Sequence, residues 1–233
     1  MTKPKVVALL PMKANSSRVP GKNFKDFCGK PLFRWILDSL LAVEEIDQVI
    51  INTDAREILA ENGLVDTDRI VIRDRKKEIC GDDVSMNIVL ADDVANVDAD
   101  IYMMTHTTNP LLSSSTIRQA IKQYKEALSV NKADSLFTVN KIQTRFYTEA
   151  CKPINHDPDN LIPTQDLEPW FEENSNLYLF NRDSFSSTNA RIGSKPMMMV
   201  SPALECSDID TPDDWERAVV MTHYMLDKGL VQA

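Results

Sequence analysis

Residues 6–10, Val6-Val7-Ala8-Leu9-Leu10, are apolar without a break. A strand with one face in water alternates apolar and polar residues, whereas an unbroken apolar run is covered on both faces. Helices must therefore pack on each side of the sheet that this strand joins. The rest of the chain supplies them. Strand-like runs at 48–52, 69–72 and 100–104 alternate with helical patterns at 32–43, 55–62, 84–97 and 113–128. Strands separated by helices in this way build a mainly parallel sheet. The expected architecture is a doubly wound α/β fold, one large domain over 1–233.

Several details follow from local pattern. Helical spacing puts Leu32, Trp35, Ile36, Ser39, Leu40 and Val43 on one face. Asp54 after the second strand is placed to cap the next helix or to face a ligand, with capping the preferred reading, and Asp82 or Asp83 is placed to cap the helix at 84. Thr211, Pro212 and the acids Asp213 and Asp214 mark the start of a last helix, and Gly229 marks its end. Strands are expected at 135–139, 176–180 and 195–200. Between them, residues 140–175 lack clear periodicity and hold four prolines together with Phe146, Tyr147, Trp170 and Phe171. A structureless loop of that length is unusual in a compact domain. The expectation is an insertion at about 140–190 that packs on something else, such as a second subunit.

The loop after the first strand carries the charge pattern of a site. Lys13, Arg18, Lys22, Lys25 and Lys30 fall within eighteen residues, opposed only by Asp26. The chain as a whole has net charge −9 and a pI near 4.9. A local positive loop in an acidic protein, at the carboxyl end of the first strand, is placed to hold an anion such as a phosphate. The bland alternative is a solvated cationic surface. The overall acidity argues against nucleic acid or an anionic membrane as partner. Cys28, Cys80, Cys151 and Cys206 are widely spaced, without a C-x-x-C pair. That spacing argues against a zinc site and suits a reducing compartment. With no signal-like N-terminus and no run of membrane-spanning length, the expectation is a soluble cytoplasmic protein.

Two nucleotide-binding fingerprints are excluded. Gly21 is the only glycine of the loop, so G-x-G-x-x-G is absent, and Gly29-Lys30 is followed by Pro31 rather than by Ser or Thr. Another constellation is Asp208-Ile209-Asp210. In extended backbone, residues two apart point to the same side, so both carboxylates can converge on one Mg²⁺ ion whose other ligands are phosphate oxygens and water. The bland alternative is a pair of helix-entry acids.

These motifs together resemble the CMP-sugar synthetase family, the cytidylyltransferases that activate acidic 2-keto-3-deoxy sugars. The acylneuraminate cytidylyltransferases are the nearest in pattern. The family's opening P-A-R-x-x-S-x-x-x-P-x-K-N corresponds to residues 11–23, and its G-K-P-L to Gly29-Lys30-Pro31-Leu32. Its S-T-D corresponds to Asn52-Thr53-Asp54, its R-P-x-x-L-x-x-D-x-x-S to residues 75–85, and its Q-P-T-S-P-L-R to residues 106–112. Its D-I-D-T-x-x-D is Asp208 to Asp214. The matches occur in the same order from about residue 6 to 220.

The resemblance implies a nucleotidyltransferase, Rossmann-like fold and a reaction of CTP with an acidic sugar. It implies that Pro11, Lys13, Ala14, Arg18, Lys22 and Asn23, with Arg75, Asp82 and Ser85, hold the nucleotide. It implies that His106, Thr107, Thr108 and Asn109 face the acceptor and that Asp208 and Asp210 hold Mg²⁺. Lys13, Lys22 and Asp210 are the expected catalytic groups, and the insertion is expected to form a homodimer. The departures are Lys13 for an arginine, Asn15 and Ser16 for glycines, His106 for a glutamine and Leu112 for an arginine. They leave open a different acid such as a phosphonate, an inactive nucleotide-binding relative, or a D-x-D glycosyltransferase of similar architecture. The general base stays unassigned, with His106 the candidate by pKa class.

Overall fold

The computed structural model describes residues 3–231. The chain forms β1 (Val6–Leu9), a short hairpin of β2 (Asp26–Phe27) and β3 (Lys30–Pro31), α1 (Leu32–Leu41), β4 (Gln48–Thr53), α2 (Arg56–Glu61) and β5 (Ile70–Asp74). It continues through α3 (Met86–Asn96), β6 (Ile101–Met104), α4 (Ser114–Ser129), β7 (Ser135–Ile142) and β8 (Trp170–Phe180). It ends with α5 (Arg182–Thr188), β9 (Pro196–Val200) and α6 (Pro212–Asp227).

A seven-stranded sheet has the order β5-β4-β1-β6-β8-β7-β9. Only β8 runs against the rest, antiparallel to both β6 and β7. The sheet is therefore mainly parallel, as expected. The apolar run explains its covering. Val6, Ala8 and Leu10 face one side with α1, α2 and α4, while Val7 and Leu9 face the other with α3 and α5. From β1 the chain passes to β4 and β5 on one side, then crosses to β6 on the other. A crevice opens outside the strand ends where such an order reverses.

Helix α1 differs from the single apolar face expected of it. Phe33, Ile36, Leu37 and Leu40 meet the sheet, whereas Leu32 and Trp35 meet Ile209 and α6 through Trp215 and Ala218. A helix covered on both sides is apolar nearly all round. Its Trp35 indole donates to the Phe27 carbonyl at 2.8 Å, so this ring is core, as expected.

The aperiodic region is shorter than its composition implies. Strand β7 runs on to Ile142, and β8 begins at Trp170, pairing Val139 with Glu173 through Ile142 with Trp170 after a bulge between Phe137 and Val139. Residues 143–169 remain as an arm with one isolated bridge, Tyr147 to Pro153, and a 3₁₀ turn at Thr164–Asp166. The charged start of β8 hides its strand character, because Trp170 to Glu173 are exposed rather than alternating.

Candidate active site

The loop leaving β1 is tied down by backbone and side-chain bonds. The Met12 N–H donates to the Asn52 carbonyl at 3.0 Å, and the Ala14 N–H to Asp54 Oδ1 at 2.7 Å. Asp54 is thus neither a helix cap nor a free ligand. Helix α2 has Ala55 at its cap position and no side-chain capping bond. Asn23 donates to the Lys13 carbonyl at 2.7 Å and accepts from the Thr107 hydroxyl at 2.6 Å. Its amide braces the loop against the segment after β6. The turn that presents Lys22 places Gly21 at φ +62°, in the left-handed region where a side chain is strained.

Lys22 reaches across to the segment before α6. Its side chain is 8% exposed, and its Nζ donates to the Ile209 carbonyl and lies 3.6 Å from Asp210. Arg18 pairs with the same carboxylate at 2.8 Å. Burial pulls the Lys22 pKa down, and the charges of Asp210 and Asp208 partly offset it. Burial pushes Asp208 up, against a hydrogen bond from Thr108, and Asp210 adds to the rise. The Ile209 N–H donates to the Thr108 carbonyl at 3.0 Å, so the loop after β6 joins the same cluster.

Asp208 Oδ1 is buried without a hydrogen-bond partner. An orphaned carboxylate oxygen beside a second carboxylate fits a hard divalent cation. Among the described residues no group of three or more His, Cys, Asp or Glu is assembled for a metal. The donor set therefore fits an ion completed by phosphate oxygens and water. It does not fit an all-protein cage.

Pro11, Lys13, Asn23, Arg75, His106 and Thr107 line a small cavity of about 130 Å³. Lys13 crosses its mouth to Asp82 at 2.5 Å. Arg75 is buried, and its guanidinium donates to Asn52 Oδ1 at 2.9 Å and to the Asn52 carbonyl at 2.7 Å. It supports the loop from beneath. Ser85 is exposed at the cap position of α3, where it makes no capping bond, and neither Asp82 nor Asp83 caps that helix. Asn109 is fully buried and reaches the Ser207 carbonyl at 3.5 Å, which makes it a brace within the cluster. Leu112 is sealed in the core and offers the site no charge.

A second cavity of about 420 Å³ opens beside Asp208, lined by Asn140, Glu172, Glu173, Asn174 and Arg217. Its volume lies in the range of small-molecule sites. None of its β8 residues is signalled by sequence pattern. Arg191, in the turn after α5, is equally silent in the sequence. Its guanidinium lies 3.5 Å from His106 Nε2, 3.3 Å from Glu173 and 3.9 Å over the Tyr178 ring. Burial, then Arg191 and Lys22, lower the His106 pKa to about 3. The ring stays neutral near pH 7 and is too weakly basic to hold a proton taken from a hydroxyl.

A family model described as cytidylyltransferase matches residues 7–203. The 3-deoxy-manno-octulosonate cytidylyltransferase of Christiangramia forsetii is 29% identical over 54% of this chain, a match that spans only 48% of that relative's length. The CMP-N,N'-diacetyllegionaminic acid synthase of Legionella pneumophila is 26% identical, covering 91% of this chain and 93% of the relative. The structure of a CMP:2-keto-3-deoxy-manno-octonic acid synthetase complexed with CTP has the same fold, with TM-score 0.66 at 16% identity over 94% of this chain and 99% of that one. The family match takes in the strand, the cationic loop and the segment after β6 that meet in the crevice, and by it this chain belongs to the cytidylyltransferase family.

Proposed function

We propose that this chain transfers the cytidylyl group of CTP to an acidic 2-keto-3-deoxy sugar, giving a CMP-sugar and pyrophosphate. The observation that carries this reading is the contact of Lys22 with the Ile209–Asp210 segment. It brings cations from the first crossover and a carboxylate pair from before α6 to one place. The relatives named above support the choice of substrate class.

The acceptor's anomeric hydroxyl attacks the α-phosphorus and gives up its proton to solvent, a new P–O bond forms, and the bond to the bridging oxygen of pyrophosphate breaks. Negative charge grows on that leaving oxygen. Lys22 is already aimed at the place, and Arg18 reaches it by exchanging Asp210 for phosphate. A buried cation held in place, as Lys22 is, stabilises such charge with little reorganisation. Lys13 exchanges Asp82 for the triphosphate in the same manner. Asp208 and Asp210 would hold Mg²⁺, which supplies further neutralisation of the phosphates. Asn23 and Arg75 keep the loop in shape around the nucleotide, and Thr107 and Thr108 face the acceptor.

The same reading takes the arm at 143–169 as a contact with a second copy of the chain. Tyr147, Leu161, Ile162, Trp170 and Phe171 are exposed large apolar residues on or beside it. The four cysteines are unpaired, which supports a reducing, cytoplasmic setting. No helix among the described residues is long and apolar enough to cross a membrane.

The test is pyrophosphate release from CTP with a panel of nonulosonic acids, octulosonic acids and phosphonates. Release with at least one sugar acid supports the proposal. Release with a phosphonate alone would move the acceptor class, and release with none would overturn it.

A further inference from the structure

We propose that Arg191 anchors the carboxylate of the acceptor, in the place that Glu173 takes in the free enzyme. This rests on the cytidylyltransferase reading and names the group that recognises the acid. An acid acceptor needs a cation that is not consumed elsewhere. Lys13 is held by Asp82, Arg18 by Asp210, Lys22 by Ile209 and Asp210, and Arg75 by Asn52. Arg191 is different. Its side chain is only 19% exposed, yet its carboxylate contact is a single one at 3.3 Å to the half-exposed Glu173. A guanidinium has five N–H donors in a fork that fits a carboxylate two-pronged. The contact of Arg191 with His106 Nε2, at 3.5 Å, is as loose, so no partner engages the fork two-pronged.

Position agrees with chemistry. Arg191 touches His106, which lines the smaller cavity, and Glu173, which lines the larger one beside Asp208. It therefore lies behind the walls of both cavities, one neighbour away from each. Stacking on Tyr178 fixes the guanidinium plane, so little side-chain entropy is lost on binding. Tyr178 also donates to Glu173, which holds the internal carboxylate next to the arginine. An incoming acid would displace a group of its own kind. With Glu172, Glu173 and Asp208 on the larger cavity, an unanchored acid would otherwise be repelled there.

The test uses the enzyme loaded with α,β-methylene-CTP, from which pyrophosphate cannot leave. N-acetylneuraminate and 3-deoxy-manno-octulosonate are titrated by calorimetry, together with the methyl ester of the former. Wild type should bind an acid more tightly than its ester by tenfold or more. Arg191→Ala should lose that preference, weaken the acid by about 10–10²-fold, and keep its affinity for the nucleotide analogue within twofold. Arg191→Lys should recover part of the preference, and Glu173→Gln should tighten the acid. If Arg191→Ala is unfolded, Glu173→Gln decides alone. Acid binding unchanged in Arg191→Ala, weakened in Glu173→Gln, or absent from wild type would overturn the proposal. Arg191-dependent binding without pyrophosphate release from CTP would leave the anchor standing and remove the cytidylyl-transfer reading instead.

Discussion

Lys22 combines burial, which lowers its pKa, with two acidic neighbours that partly offset the fall, and the proposed function gives it a phosphate to hold. Lys22→Ala should lower kcat/KM by about 10²–10³ while circular dichroism shows a folded protein. Activity within tenfold of wild type would contradict its role. His106 offers a pH test. Its pKa of about 3 when folded lies below the ordinary 6.5, so between those values the unfolded chain binds the extra proton. Stability from this group is complete above about pH 6.5 and falls as the pH drops toward 3. At pH 5 the loss is about 2 kcal/mol. The stability of His106→Gln should therefore decline less than that of wild type between pH 7.5 and 5, as read by urea unfolding; parallel declines would show that the ring is not shielded. The ionisable groups of Lys22 and His106 are legible in the sequence because side-chain type is. Their partners are not, since Ile209 lies 187 residues from Lys22 and Arg191 lies 85 from His106.

Among the elements, the β1 loop is held by its neighbours more than by its own turns. Asn52 at the end of β4 accepts from Arg75 and donates to Asp93 at 2.8 Å, all three being buried. Asn52→Ala would leave a buried guanidinium and a buried carboxylate each short of a partner. It should destabilise the fold by about 2–4 kcal/mol, measured by denaturant unfolding, and raise the KM for CTP. A loss under 1 kcal/mol would show that Arg75 and Asp93 find other partners. Element starts were legible where a side chain makes the cap. Thr211 accepts from the Asp214 N–H and Asp214 answers, as the sequence around 211 implies. Helix α3 lacks any such bond, so its start at Met86 is two residues beyond the position that Val84 suggested. Helix α5 is only seven residues long, and its Asn181–Ser184 capping box precedes too short an apolar pattern to be noticed.

At the scale of the molecule, the unbroken apolar run at 6–10 foretold both covered faces, and the alternation of strands with helices foretold the mainly parallel sheet. The return of β8 between β6 and β7 was not foretold, because pairing across a sheet is nonlocal and the exposed residues of β8 carry no alternation. That return is what places Glu172 and Glu173 beside Asp208. It also projects the arm at 143–169. The proposed packing of the arm on a second copy predicts that wild type sediments as a dimer and that Leu161→Lys combined with Phe171→Lys sediments as a monomer in analytical ultracentrifugation, with secondary structure kept; a monomeric wild type, or an unchanged mass in the variant, would contradict it. The proposed function stands on cations and carboxylates meeting across the phosphates of one nucleotide. Following CTP by phosphorus NMR, with Mg²⁺ and an accepted acid, tests that directly. The expected result is a new phosphodiester resonance growing in step with pyrophosphate, one for one, and abolished in Lys22→Ala. Appearance of CDP and inorganic phosphate, or of pyrophosphate at the wild-type rate in Lys22→Ala, would contradict it.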